Sequence, residues 1–207
     1  MKTVLRALKT LPHFIILTGC IQLHTAYYNI DLKEVERPAK TKERYGEQKI
    51  SKINENGIDK YTFEDEMVKI IWLPTAQNVN FELTNKTNHS IKIIWDETVF
   101  VDPKRASHKV MHSGVKYIDR NNSQPPSVIV KNGSISDVLI PTDGVMFLGS
   151  SWIESPIFLN QGTDQAQLKV SAESYIGNII QVLLPLQIEG VINEYLFSFE
   201  VKSVVIK

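Results

Sequence analysis

The chain has 207 residues, 23 Lys and Arg balanced by 23 Asp and Glu, a single Cys, and 43% hydrophobic residues. A chain of this length can bury the core of one domain without disulfides. The balanced charge excludes the basic footprint expected of a nucleic-acid-binding protein, and it excludes a polybasic patch for anionic lipid.

The first residues of the chain have the pattern of a bacterial export signal. Basic Lys2, Arg6 and Lys9 precede a short apolar run at 14–17. The run is followed by Cys20, which closes the tetrapeptide Leu17-Thr18-Gly19-Cys20. This pattern resembles the signal of bacterial lipoproteins. The resemblance implies a signal peptide over 1–19 and a lipid attached to the Cys20 thiol.

The lipoprotein resemblance also implies a location. Membrane attachment through lipid on Cys20 places the protein in the bacterial cell envelope. Ile21, which follows the cysteine, resembles a sorting residue for the outer membrane. The alternatives are a cleaved secretory signal, or an uncleaved segment with an ordinary buried cysteine.

Residues 20–44 are predicted to be a charged, solvated tether, and 45–207 are predicted to be the folded domain. Fifteen of the thirty residues in 31–60 are charged, eight basic and seven acidic. A mixed-charge segment of this kind buries little apolar surface. Pro38 also interrupts any helix there.

From Tyr61 onward the hydrophobic period is two, which is typical of strands buried on one face. Alternating runs at 79–83 and 91–95 flank a polar turn and predict a β-hairpin. A second hairpin is predicted where Asp102-Pro103 favours a type I turn between 99–101 and 107–111.

The rest of the chain continues this pattern. Strands are predicted at 127–130 and 135–140 around Asn132-Gly133, and at 145–148. A short helix over 165–174 is expected to be capped by Thr163 or Asp164, and strands follow at 179–184 and 195–201. Many short strands with at most one short helix predict a mainly β fold, an antiparallel, immunoglobulin-like β-sandwich. A closed barrel is the alternative.

Motifs for catalysis are missing from the sequence. It contains no Gly-x-Ser-x-Gly elbow and no glycine-rich phosphate loop. His108 and His112 would lie about 13 Å apart on a strand, too far to share one metal ion. We therefore predict a non-catalytic protein with no metal site and no cofactor. Clustered acids leave a carbohydrate-active or other hydrolase as an alternative, with Glu64, Asp65 and Asp96 as its candidates, although solvated turn or edge charges are the favoured interpretation.

Four residues are candidates for binding. Trp95 has the inward parity of Ile91 and Ile93, and Trp72 ends the apolar run 68–72, so both are expected in the core. Trp152 follows Gly149-Ser150-Ser151 and is expected to be the most exposed tryptophan. The long connection 112–126 is dense in turn-forming residues and carries Tyr117, Asp119 and Arg120 at its centre. These three residues and Trp152 form the candidate binding site, although a purely structural role of the loop, held by Asp119 and Arg120, is the favoured interpretation.

A second resemblance lies in the domain itself. The run 81–93, with Leu83, Asn85 and Thr87 between two strands, is similar to accessory β-sandwich domains of the water-stress type found in late-embryogenesis proteins and some bacterial lipoproteins. Such domains are generally non-enzymatic. The resemblance implies a binding or assembly role with an envelope protein or glycan, and a small-ligand-binding lipoprotein is an alternative.

Overall fold

The computed structural model describes residues 22–38 and 45–207. The predicted signal peptide, Cys20 and residues 39–44 of the predicted tether lie outside the described residues. In the described ranges the fold consists of fifteen strands, one α-helix and three short 3-10 helices. The strands are β1 (His24–Glu36), β2 (Lys49–Glu55), β3 (Ile58–Glu64), β4 (Val68–Pro74), β5 (Val79–Asn85), β6 (Ile91–Ile93), β7 (Val99–Val101), β8 (Ser107–Met111), β9 (Ser127–Ile129), β10 (Ser134–Pro141), β11 (Val145–Leu148), β12 (Ser151–Glu154), β13 (Gln161–Gly162), β14 (Ile179–Ile188) and β15 (Val191–Ile206). The helix is α1 (Gln165–Glu173), and the 3-10 helices are Trp95–Glu97, Tyr117–Asp119 and Thr142–Gly144.

The strands form one large antiparallel sheet and one separate hairpin. Within the described ranges, the large sheet has thirteen strands. Eleven follow the order β13-β1-β15-β14-β7-β8-β10-β5-β4-β3-β2, while β6 pairs with β14 and β9 pairs with β6. Strands β11 and β12 pair only with each other. The prediction of a mainly antiparallel β fold with at most one short helix is confirmed.

The sheet curls so that its two halves face each other across an aromatic core. The ring of Phe63 on β3 lies 5.4 Å from that of Phe197 on β15. Trp72 on β4 lies 4.7 Å from Phe197 and 5.5 Å from Phe199. Trp72 and Trp95 are buried, as predicted. Inward-facing residues of both halves therefore form a single core, as in a β-sandwich.

The predicted tether is wrong for residues 24–36, which form strand β1 inside the sheet. Ile30, Leu32 and Val35 are buried in the core, and β1 pairs with β15 along nearly its whole length. Lys33, Glu34 and Glu36 are exposed, and Lys33 forms a 3.0 Å ion pair with Glu200. A high local charge is compatible with a strand because only one of its faces is buried.

The predicted hairpin of 79–83 and 91–95 has strands at these positions, but the two strands do not pair with each other. Strand β5 pairs with β4 and β10, whereas β6 pairs with β14 and β9. The buried amide of Asn85 donates to the carbonyls of His89, Ile129 and Val130 at 2.7, 3.1 and 3.1 Å. These bonds hold the segment in which the chain passes from β5, in one half of the sheet, to β6, in the other. The β7–β8 hairpin and the Asp164 cap of α1 are confirmed.

Candidate functional site

The hairpin β11–β12 exposes a set of large apolar side chains that the core does not use. Phe147 and Leu148 are 55% and 57% exposed. Met146 and Ile153 lie opposite each other in the register and are both 39% exposed. The turn between the strands begins at Gly149, whose φ of 62° is one that glycine adopts without strain. We call Val145–Glu154 the aromatic hairpin.

The long connection 112–126 brings two of its residues to this hairpin. The ring of Tyr117 lies 6.0 Å from Trp152, and the guanidinium carbon of Arg120 lies 5.0 Å from the centre of the Trp152 ring. Phe147 contacts the same indole at 5.3 Å. Arg120 also donates a 3.0 Å hydrogen bond to the backbone carbonyl of Tyr117. Tyr117, Arg120 and Trp152 therefore form one cluster, as the binding prediction requires.

Asp119, the fourth predicted binding residue, is held in a different way. Its carboxylate accepts a 3.1 Å hydrogen bond from the Asn122 side chain, and its backbone carbonyl accepts from the Asn122 amide at 2.9 Å. These bonds close the turn at 119–122, directly after the 3-10 helix Tyr117–Asp119. Asp119 thus shapes the loop that carries Tyr117 and Arg120, which was the structural alternative for this residue.

The polar groups of the cluster favour recognition over proton transfer. The Tyr117 hydroxyl donates to the carboxylate of Glu154, and this hydrogen bond, with a contribution from burial, raises the pKa of Tyr117. The phenol is therefore a neutral donor at physiological pH. Arg120 rests on the Trp152 ring through a cation–π contact. Tyr, Trp and Arg are the residues most enriched at the energetic centres of protein interfaces.

Phe147 and its apolar neighbours are the site residues that the sequence did not indicate. The sequence predicted a strand at 145–148, and a strand normally buries one of its faces. The run Met146-Phe147-Leu148 is continuously apolar instead of alternating, and a polar Gly-Ser-Ser turn follows it. That combination was the available signal for an exposed apolar hairpin.

The acidic residues considered for hydrolysis have separate partners. Glu64 forms a 2.8 Å ion pair with Lys86 at the surface, which lowers the pKa of Glu64. Asp96 accepts from the Ser123 hydroxyl and from the Gln124 amide, and these bonds lower its pKa in that order of importance. Both acids hold loops in place. Asp65 differs from the prediction of a solvated turn charge, because its side chain is fully buried.

His108 lies between two carboxylates beside a cavity of about 390 Å³. Its Nδ1 is 2.5 Å from Asp143, and its Nε2 is 3.3 Å from Asp102. Burial disfavours the charged imidazolium, but the hydrogen bonds with Asp143 and Asp102 outweigh it, so the pKa of His108 is raised. The imidazolium therefore links the β7–β8 turn to the 3-10 turn at 142–144.

This arrangement predicts a loss of stability with rising pH. A raised folded-state pKa contributes stability that is fully present below the unfolded value of about 6.5 and is lost as the pH rises through the folded value. We expect the melting temperature of the native protein to fall over that pH range. The variant H108Q cannot carry the charge, so its melting temperature should lack this pH-dependent decrease. Thermal unfolding at several pH values measures it. Parallel pH profiles of the two proteins would contradict the linkage.

His112 has its own acidic partner. Its Nδ1 lies 3.1 Å from the Asp137 carboxylate, and its ring stacks on Trp95 at 4.1 Å. His108 and His112 therefore contact different acids. Within 22–38 and 45–207, no three His, Cys, Asp or Glu side chains are arranged to hold a metal ion.

Two further findings bear on identity. No helix in the described part of the chain is both long and apolar enough to span a bilayer. Comparison of the chain with protein-family models, with curated proteins and with solved structures gave no match.

Proposed function

We propose that this protein is a non-catalytic, lipid-anchored protein of the bacterial cell envelope that binds a protein partner through the aromatic hairpin. The observation that carries the binding role is the exposed ring of Phe147 packed on the half-buried indole of Trp152, over which Arg120 lies. Exposed contiguous apolar surface on a soluble domain is a mark of an interaction site.

The chemistry of the hairpin favours a protein over a glycan as the partner. Sugars bind to aromatic faces that are left free, whereas Arg120 covers one face of the Trp152 indole. The exposed residues around it include aliphatic Met146, Leu148 and Ile153. Aliphatic and aromatic side chains around an arginine are the composition of a protein-binding surface.

The anchor is supported by the lipobox-like tetrapeptide that ends at Cys20. Acyl chains on this residue would hold the domain at the membrane, and two or more chains give durable attachment. Confinement to a surface raises the effective concentration of the hairpin near other envelope proteins. A contact of modest affinity is then sufficient for assembly.

The first arm of the test concerns the anchor. Native protein and the variant C20A are purified from the producing bacterium, and their intact masses and membrane fractions are compared. We expect a mature native chain that begins at Cys20, carries acyl mass and sediments with membranes, and we expect C20A to lose both properties. A native chain without acyl mass would overturn the anchor.

The second arm concerns the hairpin. A photo-crosslinking amino acid is placed at Phe147 and, as a matched control, at Val128, which is 57% exposed on β9. We expect a discrete protein adduct from position 147 alone, and we expect W152A to reduce it strongly. Equal adducts from both positions, or an adduct of glycan mass, would contradict a protein-binding hairpin.

A further inference from the structure

Strand β1 begins only four residues after Cys20, which limits how far the domain can stand from its anchor. An extended residue spans at most about 3.6 Å, so Cys20 lies within about 14 Å of His24. The headgroup layer on one side of a bilayer is about 5–8 Å thick. A lipid on Cys20 therefore keeps the beginning of β1 close to the headgroups.

The residues at this end of the sheet expose an apolar face. Tyr27 on β1 and Val205 on β15 lie directly opposite each other and are 55% and 56% exposed. Leu23, just before the strand, is 57% exposed. The opposite face of the same strands is covered, because Ala26 packs against α1. Only the face that carries Tyr27 and Val205 is open.

A groove of about 570 Å³ runs along this open face. Tyr27 and Val205 lie on one wall, and Ile58, the first residue of β3, lies on the other and is 51% exposed. Asp59 on the same wall forms a 2.7 Å ion pair with Lys52. Glu55, which lies opposite Ile58 in the register, forms a 2.6 Å ion pair with Lys60, so both carboxylates beside Ile58 are paired with cations.

A cation completes the surface. The ammonium of Lys207 lies 5.2 Å from the centre of the Tyr27 ring. Tyrosine rings concentrate at the level of the lipid headgroups, and lysine places its stem along apolar surface with its charge in the polar layer. We call Leu23, Tyr27, Ile58, Val205 and Lys207 the anchor-proximal rim.

We propose that the anchor-proximal rim rests in the headgroup layer of the membrane, so that the lipidated domain has a fixed orientation instead of swinging on a long tether. This proposal rests on the lipid anchor of the proposed function. The short reach from Cys20, the apolar side chains on both walls of the groove and the Tyr27–Lys207 pair together favour a bilayer as the occupant of this face.

The control position, Val128, lies at the end of the sheet opposite to the anchor-proximal rim. Val128 on β9 pairs with Lys92, which pairs with Gln187 of β14. Gln187 in turn lies opposite Ile192, near the start of the sixteen-residue strand β15, whereas Val205 lies near its end. Val128 therefore serves as a matched position of equal exposure at the opposite end of β15.

The test uses single cysteines in the lipidated, full-length protein. The thioether at Cys20 would leave no other free thiol, because the chain has one cysteine. V205C, I58C and V128C are each labelled with a small fluorophore and reconstituted into vesicles of phosphatidylcholine and phosphatidylglycerol with nitroxide-labelled acyl chains. We expect several-fold stronger quenching at positions 205 and 58 than at 128.

The outcomes separate this proposal from the one on which it rests. Acyl mass on the protein with equal quenching at all three positions would overturn the orientation and leave the anchor intact. Absence of acyl mass would overturn both. Quenching at 205 and 58 but not at 128 supports a rim that lies on the bilayer, since the two responsive positions are on different strands.

Discussion

Replacing Asp65 with alanine is expected to lower the free energy of unfolding by about 3–5 kcal/mol, the cost of removing one partner from a buried charge pair. The carboxylate is fully buried between β3 and β4. Its Oδ1 accepts from the amides of Met67 and Val68, both at 2.9 Å. Its Oδ2 accepts from the Tyr195 hydroxyl at 3.2 Å and lies 3.5 Å from Arg37.

This one side chain connects three parts of the fold. It fixes the β3–β4 turn, it meets β15 through Tyr195, and it meets the residue after β1 through Arg37. In D65A these donors are left buried without the acceptor, and an unmet buried donor costs about 1–3 kcal/mol. Burial, followed by the charge of Asp65, raises the pKa of Tyr195, so the phenol stays protonated as a donor.

Glu64 provides the matched control for Asp65. It is the preceding residue, and its ion pair with Lys86 is exposed to solvent. Exposed pairs contribute at most about 1 kcal/mol, so E64A should unfold nearly as the native protein does. Urea denaturation followed by far-UV circular dichroism measures both variants. If D65A proved no less stable than E64A, the buried carboxylate would not be what joins the β3–β4 turn to β1 and β15.

Replacing Trp72 with alanine is expected to destabilise the protein by about 3–5 kcal/mol, the usual cost of truncating a buried aromatic side chain. Trp72 has no exposed surface. It contacts Phe81 on the neighbouring strand β5 at 5.2 Å, and it contacts Phe197 and Phe199 on the facing half of the sheet. Alanine would leave a cavity and remove the aromatic contacts that join the two halves of the sheet at their centre.

The conservative variant W72F sharpens this prediction. Among the described residues, the indole Nε1 of Trp72 is buried without a hydrogen-bond partner. Phenylalanine keeps an aromatic ring and removes this donor, so W72F should cost much less than W72A. W152A, which truncates a half-buried indole on the separate hairpin, should change stability little. Equal losses in W72A and W152A, measured by circular dichroism in denaturant, would contradict the central position of Trp72.

Part of the candidate site could be predicted from the sequence. The turn-rich composition of 112–126 indicated an ordered surface loop, and Tyr117 and Arg120 do lie beside Trp152. The sequence did not distinguish Asp119 from Tyr117 and Arg120, because the direction of a side chain in a short turn depends on its local hydrogen bonds. For Asp119 these are the hydrogen bonds with Asn122. Phe147 was missed because exposure of an apolar strand depends on what packs above it.

Strand β1 shows why composition alone misled the prediction of a tether. Its register shifts between Asn29 and Ile30 and again between Leu32 and Glu34. Such bulges interrupt the period of two by which a strand is recognised. Its Lys33 pairs with Glu200 on β15 and its Asp31 accepts from Tyr61 on β3, and neither partner is present in the local sequence of residues 24–36.

The class of the fold, the positions of most strands and the capped helix follow from local periodicity, turn chemistry and capping, so they could be predicted from the amino-acid sequence. The burial of Trp72 and Trp95 could be predicted in the same way. The pairing of the strands, the burial of Asp65, and the exposure of the aromatic hairpin and the anchor-proximal rim could not. These features depend on contacts between residues far apart in the chain, and local patterns carry no information about such contacts.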